Sequence, residues 1–408
     1  MNRIIKIFKS LGPGLLFAGA AIGVSHLVQS TRAGANYGLG LLWALLLVNI
    51  FKYPFFQYGP RYAAATGESL IDGYKRLGKS FLWFYYILTF ATMFTIQAAV
   101  TIVTAGLAIK LFGFTNNVLV WSGIITLVSV LILIIGKYKL LDNLMKAIII
   151  VLSISSILAV IFALQNTTYQ FNFTLILPVD KLGVAFLIAF MGWMPAPLDI
   201  SAWHSLWTLE KAKTETVTPK RAIFDFNIGY LGTIILGICF VLLGALVMYH
   251  SGETFSTGAG KFSAQLISLY TKNLGQETYY IIAIAAFTTM FSTTITTLDA
   301  SPRAMARSTQ LLFKNPPKHN YFLWLVFLGF GTLIILGYFI TSMAIMVKIA
   351  TIISFLTAPF YAIANYMLIT SKNTPKAWRP SNALKIISWL GILFLIGFSL
   401  FYVFSLLN

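Results

Sequence analysis

Two apolar runs long enough to cross a bilayer are each interrupted near the middle. The first carries Ala20-Ala21-Ile22-Gly23-Val24-Ser25-His26, and the second carries Gly192-Trp193-Met194-Pro195-Ala196-Pro197-Leu198-Asp199. Gly23 and Ser25 favour unwinding, while Pro195 and Pro197 remove two backbone donors and disfavour helix in the residues before them. Inside hydrocarbon, backbone groups freed by unwinding are costly unless something binds them. Broken helices at corresponding places in the two halves of a membrane chain therefore point to a solute site near the midplane.

The chain has 408 residues, of which 58% are hydrophobic and only 10% charged. A soluble domain carries about 25% charged residues, so the composition excludes a soluble helical protein and predicts an all-α, polytopic membrane protein. Runs of about 20 apolar residues place eleven spans near 12–35, 39–60, 81–109, 117–136, 147–164, 183–208, 222–248, 278–300, 319–340, 342–369 and 386–406. The one cysteine, Cys239, lies in an apolar run and excludes an intrachain disulfide or a cysteine metal cluster. Arg3, Lys6 and Lys9 lead into a full-length span without a small-residue cleavage pattern, so no signal peptide is expected.

A net charge of +18 suggests nucleic acid, but the distribution argues against it. With the N-terminus inside, the outer loops hold only Lys110, Lys181, Lys261 and Lys272, and the spans hold Arg32, Lys52 and Lys348. Every other Lys and Arg of the 29 falls on the inner side. This bias predicts a cytoplasmic N-terminus and an external C-terminus in a bacterial cytoplasmic membrane. Residues 1–408 read as one transmembrane unit. Repeat one covers about 12–164 and repeat two about 183–369, each opening with a broken helix; an extra helix covers about 386–406. That is a 5+5 inverted repeat with helices 1 and 6 broken. Residues 258–271 carry a mildly amphipathic pattern and predict a short interfacial helix.

Half-helix C-termini present carbonyls to cations, and half-helix N-termini present amides to anions. Both kinds of end meet at each break, so the geometry specifies a small polar or charged solute without its sign. Asp199 starts a half-helix, where it serves either as a cap or as a ligand for a cation, an amine or His26. His26 at mid-membrane reads as functional. Met194 offers a thioether to a soft metal, against the plainer role of packing. His204 follows Asp199 by one to two turns; Ser201 and Trp203 share its half-helix. Arg32 reads as a snorkelling residue and Lys348 as a buried ammonium that stands in for a bound cation or senses protons. Lys52, Asp225 and Asp299 read as paired or interfacial groups near inner ends. No nucleophile–base pair or His-Glu-x-x-His signature points to an enzyme.

Several segments, taken as a set, resemble the NRAMP family of divalent metal-ion transporters, in the APC superfamily. They are Gly12-Pro13-Gly14-Leu15-Leu16, Ala33-Gly34-Ala35, Leu41-Leu42-Trp43, then Asn49, Arg61 and Thr66-Gly67. Gly192, Met194-Pro195 and Ser292-Thr293-Thr294-Ile295-Thr296-Thr297-Leu298 complete it. The resemblance implies the broken-helix inverted-repeat fold of amino-acid and cation symporters. It also exposes departures. Where the family has Asp-Pro-Gly-Asn, this chain has Gly23-Val24-Ser25-His26, without the metal-binding carboxylate. Where the family has Met-Pro-His-Asn, it has Met194-Pro195-Ala196-Pro197. The family's acidic pair in span 3 falls near Gln97 and Val100, and its coordinating Gln in span 10 near Thr351.

By this resemblance the substrate-binding candidates are Gly23, Ser25, His26, the Met191 carbonyl, Met194 and Asp199. Candidate coupling or gating residues are Arg32, Gln97, His204, Lys348 and Thr351, and a metal would draw on His26, Met194 and Asp199. The expected function is a secondary transporter working by alternating access, with an altered substrate site. The alternative is a transporter of a non-metal solute, an organic anion or amino acid, or else a non-transporting sensor or a channel. Without span 3 acids, transport is expected to be uncoupled or coupled through His26, Asp199 or Lys348. The expected partners are a small solute or divalent cation and the lipid bilayer, with no cofactor, nucleic acid or obligate protein partner.

Overall fold

The structure, a computed structural model, describes residues 12–165, 171–249, 255–276, 279–338 and 342–407, with the side chains of 136–145 and 273–274 excepted. Arg3, Lys6 and Lys9 lie outside the described residues. All regular structure among the described residues is helical. The first span is α1 (Pro13–Ala21), then a π-helical turn (Ser25–Ser30) that runs into α2 (Thr31–Tyr37). The chain bends by 44° at this break. There follow α3 (Leu42–Thr66), the short α4 (Leu70–Leu77), α5 (Lys79–Phe112) and α6 (Val118–Gln165). The second half opens with α7 (Lys181–Trp193) and α8 (Ile200–Ala212), separated by residues 194–199. It continues with α9 (Pro219–Met248), α10 (Ala259–Leu274), α11 (Tyr279–Leu312), α12 (Asn320–Tyr338), α13 (Met343–Thr370) and α14 (Asn382–Leu407).

Eight helical stretches among the described residues are long and apolar enough to cross a membrane, and the bent α1–α2 pair is a ninth. α3 and the α7–α8 pair fall outside that group. The reason is polarity: α3 carries Lys52, Arg61 and two prolines, and α7–α8 is split into two short pieces. The loop expected between spans 4 and 5 does not interrupt the backbone helix of α6, in which residues 137–146 contain neither Gly nor Pro. Two apolar stretches, Val118–Ile135 and Lys146–Gln165, flank that region. The amphipathic pattern at 258–271 does form a helix, α10. Its apolar residues Phe262, Leu266, Ile267 and Tyr270 are buried against protein, chiefly α5, instead of facing lipid.

Large apolar side chains such as Ile135, Phe330, Leu393 and Phe404 are exposed around the outside, as a lipid-facing surface requires. The interior is held by close backbone contact. α9 runs along both α1 and α2; α3 packs on α8, α13 on α7, and α5 on α11. α14 packs on α3 and α13, where the hydroxyls of Tyr58 and Ser388 are 2.7 Å apart.

Asp225 of α9 joins the two halves: its carboxylate accepts the backbone N–H of Gly12 at 3.1 Å and of Gly14 at 2.8 Å. These are first-turn donors of α1 that have no partner inside the helix. Asp225→Ala is expected to lower the melting temperature in detergent, since each orphaned buried donor costs about 1–3 kcal/mol. Asp225→Asn, which keeps one acceptor, is expected to lose less. An unchanged melting temperature in Asp225→Ala would show that the cap is dispensable. Asp299 is also paired, with Arg303 at 2.7 Å and the Tyr321 hydroxyl at 2.7 Å.

Candidate functional site

The second break follows from its prolines. In a continuous helix the Met191 carbonyl would accept the N–H of residue 195 and the Trp193 carbonyl that of residue 197. Both positions are proline and have no N–H, so helix α7 ends at Trp193. The Met194–Pro195 peptide is cis. In place of the missing donors stands a side chain from another helix. Lys52 of α3 is fully buried, and its Nζ donates to the carbonyls of Met191 (2.8 Å), Gly192 (2.7 Å), Met194 (3.2 Å) and Ala196 (3.3 Å). The expectation that Lys52 sits near an inner end is corrected: it lies in the middle of α3 and in the centre of the break.

The first break is stabilised by hydroxyls. Thr293 of α11 donates to the carbonyl of Gly19 at 3.0 Å, and Ser25 Oγ donates to Ala21 at 2.7 Å. Ser25 Oγ also lies 3.3 Å from the Pro195 carbonyl, so the two breaks touch. A Cβ at Gly23 would sit 2.8 Å from Thr293 side-chain atoms, closer than real contacts allow. Between the breaks lies a narrow cavity lined by Ser25, Thr293, Thr297, Trp193, Trp203 and Ile96, among others. Its wall is aromatic and aliphatic with a few hydroxyls. Trp203 is buried and its indole N–H has no hydrogen-bond partner among the described residues.

The other expected site residues fall into separate settings. His26 turns toward α9: Nε2 lies 2.9 Å from the Thr233 carbonyl, and Nδ1 lies 2.6 Å from Ser25 Oγ and 3.1 Å from the Ala21 carbonyl. With its proton on Nε2 the ring donates to the Thr233 carbonyl, and Nδ1 lies against the Ser25 hydroxyl, whose one hydrogen serves either Nδ1 or the Ala21 carbonyl. Met194 also turns toward α9, where a Cβ at Gly237 would lie 3.4 Å from its sulfur. Asp199 is buried and stands at the N-cap of α8 but makes no side-chain cap, and its Oδ1 has no partner among the described residues. It is within electrostatic reach of Lys52, Tyr74, Tyr85 and Tyr361. No group of three or more His, Cys, Asp or Glu side chains that could hold a metal occurs among the described residues.

Gln97 bonds to the cavity-lining Thr297: its Oε1 accepts the Thr297 hydroxyl at 2.6 Å, and its Nε2 lies 3.3 Å from the Thr294 carbonyl. Thr351 donates its hydroxyl to Val347 within α13, while its carbonyl abuts Gly192, where a Cβ would sit 2.2 Å away. Arg32 does more than snorkel, since Nη2 donates to the Ser256 carbonyl at 3.0 Å and the guanidinium lies over Phe262. His204 lines a second cavity with Pro13, Thr208 and Asp225, and its ring stacks on Phe17. Lys348 is corrected: it is exposed, next to exposed Ile345 and Ile349, because the buried stripe of α13 is Met343, Val347, Ala350, Thr351 and Ser354. The buried ammonium expected there exists, but on Lys52.

Sequence reasoning gave no central role to Lys52 or Asn365. Asn365 of α13 accepts the Tyr74 hydroxyl and donates to Ser201 Oγ at 2.8 Å, tying α13 to α4 and α8. A usable signal for Lys52 was its distance from both ends of its span, which already places it near mid-membrane.

Two broken helices that face each other across a cavity, braced by long helices, define an integral membrane protein of the broken-helix transporter fold. A manganese transporter of Eremococcus coleocola shares this fold with a TM-score of 0.74 at 14% identity, covering 97% of this chain and 86% of that one. So does MhsT, solved with L-phenylalanine, at a TM-score of 0.65 and 15% identity, covering 97% and 98%. Mhp1, a nucleobase-cation-symport-1 family transporter with bromovinylhydantoin bound, matches at 0.62 and 14%, covering 97% and 91%. Residues 14–405 match the model of Nramp, natural resistance-associated macrophage protein-like, and the chain belongs to that family. It is 38% identical over 403 residues to an uncharacterized protein of Pasteurella multocida, covering 97% of this chain and 92% of that one. It is 30% identical over 87 residues to the divalent metal cation transporter MntH of Erwinia tasmaniensis, 21% of either chain.

Proposed function

We propose that this protein is a secondary transporter that carries a small solute by alternating access, with the paired breaks as an altered substrate site. The full architecture we propose is eleven spans in a 5+5 inverted repeat plus a final helix, with the N-terminus in the cytoplasm of a bacterial cell. The cargo we favour is an organic solute with an apolar body and a polar group. The observation that carries this is the lining of a cavity of about 20 Å³, which has to widen to admit a solute: Trp193, Trp203 and Ile96 supply apolar surface, and Ser25, Thr293 and Thr297 supply hydroxyls. A dehydrated divalent ion needs charged or soft ligands converging on one point. Here His26 and Met194 contact α9, and the Asp199 carboxylate is buried within electrostatic reach of Lys52.

The second reading is a divalent metal ion, which kinship favours through the family and the MntH match. A thermal-shift screen of the purified protein with metals and metabolites, followed by uptake into proteoliposomes, separates the two. An organic acid or amino acid is expected to stabilise the protein and to accumulate in vesicles. Trp203→Ala is expected to weaken that binding about tenfold or more, as loss of a large buried aromatic contact does. Saturable Mn²⁺ uptake with no response to metabolites would establish the metal reading. Binding without uptake would make the protein a sensor, and unsaturable flux with single-channel steps would make it a channel.

A further inference from the structure

We infer that Lys52 is a cation tethered where the unwound α7–α8 segment would otherwise hold a mobile one, so the site takes its solute without a co-bound metal cation. The inference deepens the reading of the paired breaks as the solute site. An ammonium group has three donors, yet four carbonyl oxygens surround Nζ at 2.7–3.3 Å. Oxygen cages of this kind, built from unwound backbone, are the ligand chemistry of hard cations as well as of ammonium. The carbonyls of Met191 and Gly192 belong to the last turn of α7, the negative end of its dipole, which favours positive charge there. Pro195 has removed the donor that the Met191 carbonyl would need, so the cage persists whether or not Lys52 is present. The Asp199 carboxylate, in the same break, supplies the opposite charge within electrostatic reach. Position 52 is thus filled by a charge that cannot leave.

Deleting the side chain should empty the cage and leave its oxygens facing a buried hole beside a carboxylate. The experiment uses the full-length protein in detergent, with Mn²⁺ and Na⁺ titrated by calorimetry and by melting temperature. Wild type is expected to give no binding heat and no shift with either ion. Lys52→Ala is expected to melt lower and to be restored by one of the two ions, by roughly 5 °C at saturation. Adding Asp199→Asn to Lys52→Ala should abolish that rescue, which a merely structural lysine does not predict. Stoichiometric Mn²⁺ or Na⁺ binding by wild type overturns the inference, whatever the variants do. So does a monodisperse Lys52→Ala that neither ion stabilises, and Lys52→Gln answers the same question if Lys52→Ala does not fold. Failure to find any transported solute would sink the transport reading while leaving these titrations interpretable.

Discussion

Gly244→Leu is expected to yield no monodisperse protein after detergent extraction. Gly244 on α9 faces α2 so closely that a Cβ there would sit 2.1 Å from the Thr31 carbonyl. One turn away the same two helices meet at Gly34, where a Cβ would lie 2.0 Å from the Val241 carbonyl. Both obstacles are backbone, so no side chain can swing aside. Membrane helices that associate through small residues gain their packing by such approach, and a bulky side chain forces them apart. The separation would also move His26 and Met194, whose contacts are on α9. Gly232→Leu is the control: it lies on the same helix with nothing within 4 Å of a Cβ, and it should fold normally. Fluorescence-detected size exclusion reads both variants, and a sharp peak from Gly244→Leu would refute the packing argument.

Asp199→Ala is expected to abolish solute uptake and to lower the melting temperature, because it removes the buried carboxylate within electrostatic reach of Lys52. Lys52 would keep its carbonyls but lose a carboxylate within electrostatic reach. Asp199 makes no cap hydrogen bond, so a role limited to the start of α8 does not account for a burial this complete. A double variant, Asp199→Ala with Lys52→Met, removes both groups but also strips the four carbonyls of the break of their donor, so it should melt no higher than the single variant and remain inactive. Melting temperature and proteoliposome uptake are the readouts. If the single variant transports normally, the Asp199 carboxylate has no part in the site.

The breaks were legible because they are local chemistry. A proline deprives the fourth preceding carbonyl of its donor in any surroundings, and the uncoiled stretch at 194–199 is where the prolines put it. The first break falls at Ile22–Gly23, with helix resuming as a π turn at Ser25. Among the described residues, eight spans, or nine with the bent α1–α2 pair, were legible from apolar run length; α3 and α7–α8 fall short of that measure, and α6 stays helical where a loop was expected. The side chains were harder. Lys348 and Lys52 are both lone lysines in apolar spans, and the sequence favoured the wrong one as the buried ammonium. His26 read as a ligand from its depth, but depth does not say that its ring turns to Thr233.

Residue order alone determined that this chain enters the membrane and where its two interrupted helices break, because hydropathy and backbone donors are counted along one dimension. Rotation about each helix axis, and the helix that each face meets, came only from the tertiary packing. That packing put Lys52 on four carbonyls 139 to 144 residues away and left Lys348 outside. The cause is physical: buried charge settles where unwound backbone and a counter-charge offset its desolvation, and those partners come from distant segments.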